Sequence, residues 1–209
     1  MTILSVLKAR ISDDLARPDI PNQIADAIND AIAHHASTRF YFTETRNATF
    51  TTVAGQSYYS AADDPDIPNM YEIDDAQITV AGNTYPLDRD DATVLEALIN
   101  SGTARGDPLS YAWADQGYLL YPVPNAVRTI RLLGGIKKAA PTDDTPGNVW
   151  MTEGFELIRC HAKLLLAVHV IRDPALAQLM SDAAQGTKAR LERETSSKRA
   201  TGQITATAF

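Results

Sequence analysis

NVWMTEGFELIRCHAKLLLAVHVIRDP, residues 148–174, decides the fold. Thr152 can cap a helix here, with Glu153 and Glu156 placed near its positive end. The spacing predicts a helix running to about Arg172. Between Ala162 and Ile171 only Lys163 and His169 interrupt the apolar residues. Such a helix is expected to be buried from several sides, with Leu165 inside. Asp173-Pro174 then restarts the chain, Asp as N-cap and Pro at the first helical position. The final helix carries an inner stripe of Leu176, Leu179, Met180, Ala183, Thr187 and Leu191.

Two helices open the chain. Ile3, Leu4, Leu7, Ile11 and Leu15 form one apolar stripe, which Pro18 ends. Pro21 suits the first turn of a second helix with Ile24, Ile28, Ala31 and Ile32 inside. From about Thr38 to Ala139 the period changes. Arg39–Thr43, Ala48–Thr52 and Gln56–Tyr59 are rich in aromatic and β-branched residues and read as strands. Ala81-Gly82-Asn83 and Asp115-Gln116-Gly117 are hairpin signals. Val127–Ile136 reads as a further strand. One helix interrupts the run, with Asp90 as cap, Val94, Leu95, Leu98 and Ile99 as buried face, and Gly102 past its end.

These elements define an α+β protein. A helical bundle forms from the N-terminal helix pair and two long C-terminal helices, residues 1–37 with 149–195. Residues 38–148 are a β-rich insertion with one short helix. Residues 196–209 are an extended C-terminal tail. Trp150, just before a helix, can pin the insertion onto the bundle.

The composition excludes several classes. The net charge of −7 argues against broad attraction to nucleic acid. The charge is uneven: Ala61–Asp91 is strongly acidic, whereas Gly186–Phe209 is basic. The single cysteine, Cys160, allows no internal disulfide and no zinc-type cysteine pattern. The N-terminus has no secretory pattern, and the longest apolar run, Leu164–Val168, is too short to cross a bilayer. Synthesis and folding in the cytoplasm are expected.

No catalytic residues and no cofactor are expected. Cys160 and His161 are neighbours on a helix and do not face each other. His34 and His35 diverge by about 100°, and His161 and His169 stand roughly 12 Å apart along one helix, so neither pair shares an ion. No metal ligands are therefore assigned. The acidic stretch does not match a calcium loop. Gly134-Gly135 lacks the third glycine and the helix of a dinucleotide site.

Two stretches carry a resemblance. One is Leu119-Leu120-Tyr121-Pro122-Val123-Pro124-Asn125, followed by a strand to Ile136 and then Ala139-Ala140-Pro141. The other is Asn148 to Arg159, continuing through the apolar helix to Asp173-Pro174. Tyr121, Pro122, Pro124, Trp150, Thr152, Glu153, Asp173 and Pro174 mark the pattern. The order resembles the head-to-tail adaptor, or connector, proteins of tailed bacteriophages.

That resemblance implies a virion structural protein and not an enzyme. It implies a homo-oligomeric ring, usually of twelve copies, docked beneath the portal protein. A tail or nozzle/stopper protein would attach below, DNA would pass through the channel only as cargo, and no membrane would be involved. It also implies a C-terminal segment that reaches into the portal. Lys198, Arg199, Thr201, Ile204, Thr205, Thr207 and Phe209 are the candidate contacts. Ile204, Thr205, Thr207 and Phe209 suit an added strand, and Lys198 and Arg199 could meet acids on the partner. Asp63, Asp64, Asp66, Asp74 and Asp75 are candidate channel-facing acids, since a negative wall repels phosphates. The alternatives are a small cell-wall hydrolase using Glu153 and Glu156, and a monomeric binding module using the β insertion.

Overall fold

A computed structural model describes residues 3–102, 104–144 and 146–199. In chain order its elements are α1 (Leu4–Leu15), α2 (Pro21–His35), β1 (Glu44–Thr51), β2 (Tyr58–Tyr59), β3 (Met70–Val80), β4 (Asn83–Pro86), β5 (Asp88–Arg89), α3 (Ala92–Ser101), β6 (Arg105–Gly106), β7 (Ser110–Ala114), β8 (Gly117–Tyr121), β9 (Val123–Pro124), β10 (Thr129–Ile136), α4 (Val149–Thr152), α5 (Phe155–Leu166) and α6 (Pro174–Arg199). The mixture is α+β, as the sequence predicts.

The chain forms two compact units, residues 1–43 with 138–209, and residues 44–137. The sequence boundaries at 37/38 and 148/149 both fall inside the first unit. Phe40 and Phe42 are buried in its core, and Ala140 packs against that core. Arg39–Thr43 is accordingly no strand but a turn whose aromatic rings face inward: Phe40 and Phe42 stack at 5.2 Å, and Phe42 meets Trp150 edge-on at 5.4 Å. Aromatic residues serve a bundle core as readily as a sheet, which is why propensity misreads this segment. Trp150 is fully buried within this unit, and its indole Nε1–H donates to the Lys138 carbonyl at 3.0 Å.

The bundle core joins Leu7 and Ile11 of α1, Ile24, Ile28 and Ala31 of α2, and Leu157, Ile158, Ala162 and Leu166 of α5. Leu191 of α6 completes it. α1 ends at Ala16, whose left-handed φ of 50° turns the chain so that the Arg17 N–H returns to the Ser12 carbonyl.

Several helix details differ from the sequence reading. Asn148, not Thr152, is the N-cap: its side-chain oxygen accepts from the Trp150 N–H at 3.0 Å. This starts the short α4, which contains Thr152. α5 begins separately after Gly154, without a side-chain cap. The expected helix to Arg172 stops at Leu166 and gives way to a π-turn over Ala167–Ile171, closed by Arg172 at φ 60°. Val168, His169 and Val170 are exposed, so the apolar stretch is not buried all round. The wider π-turn re-phases the side chains, and an apolar residue buries only where a partner covers its face. For the same reason Leu165 is only half-buried, beside a Leu166 that is 1% exposed.

Asp173 does cap α6, accepting from the Ala175 and Leu176 N–H groups. The stripe of α6 is rotated from the expected one. Met180, Ala184, Leu191 and Thr195 are buried, and Leu179 is 61% exposed. α6 also runs to Arg199, so residues 196–199 belong to a helix and not to an extended tail. Ion pairs one turn apart, Lys188–Glu192 and Lys198–Glu194, favour this continuation.

The second unit contains two four-stranded sheets, ordered β1-β10-β3-β4 and β2-β8-β7-β5, and a parallel pair, β6-β9. One core draws from both sheets, with Phe50, Ile78, Ile130 and Leu132 from the first and Tyr59, Tyr111, Tyr118 and Leu120 from the second. The two expected hairpins form, β3-β4 and β7-β8. Asp115 and Gln116 take left-handed φ values of 48° and 61° in the second turn. α3 is capped by Asp91, not Asp90, through a 2.8 Å bond from the Thr93 N–H. Only its Leu95 is buried, against Ala112 and Leu119, with Ile99 half-buried beside them. Val94 and Leu98 stay exposed because one narrow edge of this short helix meets the sheet.

Gly134 and Gly135 owe their identity to close packing. A Cβ at Gly134 would strike the Glu72 carbonyl, and one at Gly135 the Tyr71 ring.

Candidate functional site

Four groups of polar residues stand out, three in the bundle unit and one in the insertion. The first gathers around Tyr41. Its backbone N–H donates to the Thr195 hydroxyl at 3.0 Å, and its phenol donates to the Glu153 carboxylate. The Lys198 ammonium sits 3.3 Å from the centre of the Tyr41 ring and 2.8 Å from Glu194. Burial, then the Glu153 bond and charge, push the Tyr41 hydroxyl well above its ordinary pKa. Glu153 and Lys198, predicted for different roles, therefore meet at one tyrosine. Arg199 closes the same helix. Thr201, Ile204, Thr205, Thr207 and Phe209 lie outside the described residues.

The second group joins α1 to α5. Arg159 donates to both oxygens of Asp14 at 3.0 and 2.8 Å, and Lys163 reaches Asp14 at 3.1 Å. Burial opposes ionisation of Asp14, but the Arg159 and Lys163 bonds outweigh it and hold its pKa below the usual value. Arg159 also pairs with Glu156 at 3.3 Å. Glu153 and Glu156 are thus engaged with Tyr41 and Arg159, and Cys160 has its thiol pushed up by burial. A raised thiol pKa disfavours the nucleophilic thiolate.

In the insertion, the candidate acids occupy two settings. Asp63 accepts from the Gln56 amide at 2.7 Å and the Ser60 N–H at 2.8 Å, and Asp64 accepts from the Asp66 N–H at 2.8 Å. These three shape the turn before β3. Asp74 is exposed where the β3-β10 register slips, and Asp75 is half-buried and bonded to Gln77. The structure brings Asp63, Asp64 and Asp66 together in one turn and sets Asp74 and Asp75 on a strand.

The remaining marker residues have structural settings. Tyr121 ends β8, its peptide to Pro122 is cis, and Pro124 is buried in β9, which pairs with β6. Pro174 opens α6. The π-turn borders a hollow of about 470 Å³ lined by Val168, Arg172, Pro174 and Ala177.

One cluster differs from the sequence reading, which weighed these histidines only as pairs within one helix and assigned no ligands. His161 of α5 meets His34 and His35 of α2, with His161 Nδ1 2.8 Å from His35 Nε2. Comparing pairs within one helix cannot find a group assembled from two. Burial first, then the neighbouring His161, His34 and Lys188, push His35 down to about 3. Burial lowers His161 as well.

The two units, one of helices from both ends of the chain and one of strands from its middle, fit the class that the sequence resembles, a phage structural adaptor. The chain belongs to the SU10 adaptor protein family, whose model matches residues 1–207. It is therefore a structural adaptor of a bacteriophage virion. No match was found among curated proteins. Among the described residues no helix is long and apolar enough to cross a membrane.

Proposed function

We propose that this adaptor forms a ring, of twelve copies, that binds the portal protein on one side and a tail or nozzle/stopper component on the other. DNA passes through its channel as cargo. The observation that carries this reading is the family match across nearly the whole chain. Features of the bundle support it. Val168 and Val170 on the π-turn and Leu179 on α6 are exposed in the single chain. Exposed apolar residues on two adjoining elements suit contact with a neighbouring protein.

The C-terminal segment after α6 is the portal clasp in this reading, with Lys198 and Arg199 at its base. The acids of the insertion, Asp63, Asp64 and Asp66 with Asp74 and Asp75, face the channel and repel the passing phosphates. Weak contacts between single subunits become strong when a portal template holds many together. The free protein is then monomeric, and a large species forms only with portal.

Co-expression with the portal protein of the same phage, followed by sedimentation and imaging, tests the reading. A ring seated on the portal is expected. Removal of residues 200–209 should leave the melting temperature unchanged and abolish portal binding. Unchanged portal binding by the shortened chain would move the contact to the folded body. A two-fold dimer that persists on dilution and excludes portal would overturn the ring.

A further inference from the structure

We propose that His34, His35 and His161 form a binding site for one divalent transition-metal ion, best matched by zinc, that ties α2 to α5. One ring nitrogen from each histidine lies within 4.8 Å of the other two. The ring centres are 4.6 to 4.9 Å apart, and all three pairs meet at steep angles. Around a tetrahedral zinc with bonds of about 2.0–2.1 Å, ligand nitrogens stand roughly 3.4 Å apart. The His35–His161 pair must open slightly from 2.8 Å, and His34 must swing inward. His34 is exposed and at the last turn of α2, where its side chain can turn.

Two further observations point to a ligand. His35 and His161 are buried, so packing on both helices holds their rings in place beside each other. The cluster also borders a hollow of about 290 Å³, which offers an entry path and space for a water as fourth ligand.

Ligand chemistry narrows the ion. Imidazoles suit zinc, nickel and copper(II), whereas calcium and magnesium require oxygen ligands that this cluster lacks. Lys188 lines the same hollow and would repel a cation, but its ammonium lies 3.6 Å from Glu192, which offsets that charge. The ion would hold the end of α2 against the middle of α5 and stabilise the bundle, because it binds the folded chain in preference to the unfolded one.

The test uses the full-length protein freed of metal with a chelator and titrated with zinc chloride. Calorimetry should find one equivalent bound, and the melting temperature should rise with zinc. His34→Ala, at an exposed position, should keep the fold and weaken binding roughly ten-fold or more. His169→Ala, outside the cluster, should leave affinity unchanged. Cobalt(II) in the unmutated protein should give the intense visible bands of a four-coordinate site. The proposal fails if no saturable one-to-one binding occurs. It fails equally if His34→Ala binds zinc as tightly as the unmutated chain, or if cobalt keeps its weak six-coordinate spectrum.

Discussion

Tyr41 and Glu153, 112 residues apart in the chain, are joined by a hydrogen bond from the phenol to the carboxylate. The bond ties the turn after α2 to the end of α4, and Lys198 covers the same ring from α6. Tyr41→Phe keeps the ring and removes only the donor. It should lower stability by about 1 kcal/mol, the net worth of one such bond, in a urea titration. Tyr41→Ala should cost more, because the lysine loses its aromatic face as well.

Asp14 carries a pH signature. Its pKa lies below the unfolded value of 3.8, held there by Arg159 and Lys163. The stabilisation is complete above that value and is lost as pH falls through the lower folded pKa. Asp14→Asn should therefore cost about 1 kcal/mol at neutral pH. The difference from the unmutated protein should shrink once the pH drops below 3.8. Urea titrations of both proteins across pH would show it.

The core of the bundle can be tested at two adjacent leucines. Leu166 is 1% exposed within the core, and Leu165 is half-buried at its edge. Leu166→Ala should cost roughly 2–5 kcal/mol, as large-to-small changes at buried sites do. Leu165→Ala should cost clearly less. Equal losses in chemical denaturation would contradict the observed phase of α5.

Two glycines should respond in opposite directions. Gly134→Ala places a methyl group against the Glu72 backbone, which cannot yield as a flexible side chain could. A loss of roughly 1–3 kcal/mol or more is expected. Gly186 lies within α6 with open space around it. Gly186→Ala should raise stability by about 0.5–1 kcal/mol, because alanine loses less backbone freedom in a helix. Thermal melts would separate the two.

Local chemistry made much of this fold legible. Pro21 and Asp173-Pro174 mark helix starts by what proline can and cannot donate. Ala81-Gly82 and Asp115-Gln116 turn the two hairpins because their residues sit at positive φ. Phe40-Tyr41-Phe42 misleads for the opposite reason. An aromatic run signals burial without saying whether a strand or a turn delivers it, and here the bundle takes the rings.

By itself, the sequence determined the α+β class, the return to helix after Asn148 and the family pattern from Tyr118 to Pro174. The first two follow from backbone preferences and from periodicity over a few residues, and the third is a resemblance carried by particular residues. Only the tertiary structure decided which apolar faces find cover: Leu166 inside, Leu179 and Val168 outside. It alone brought His161 to His35, 126 residues away, and Asp14 to Arg159, 145 residues away. Such meetings depend on how helices cross and rotate against one another, and local spacing constrains only the face a residue shares with its own helix.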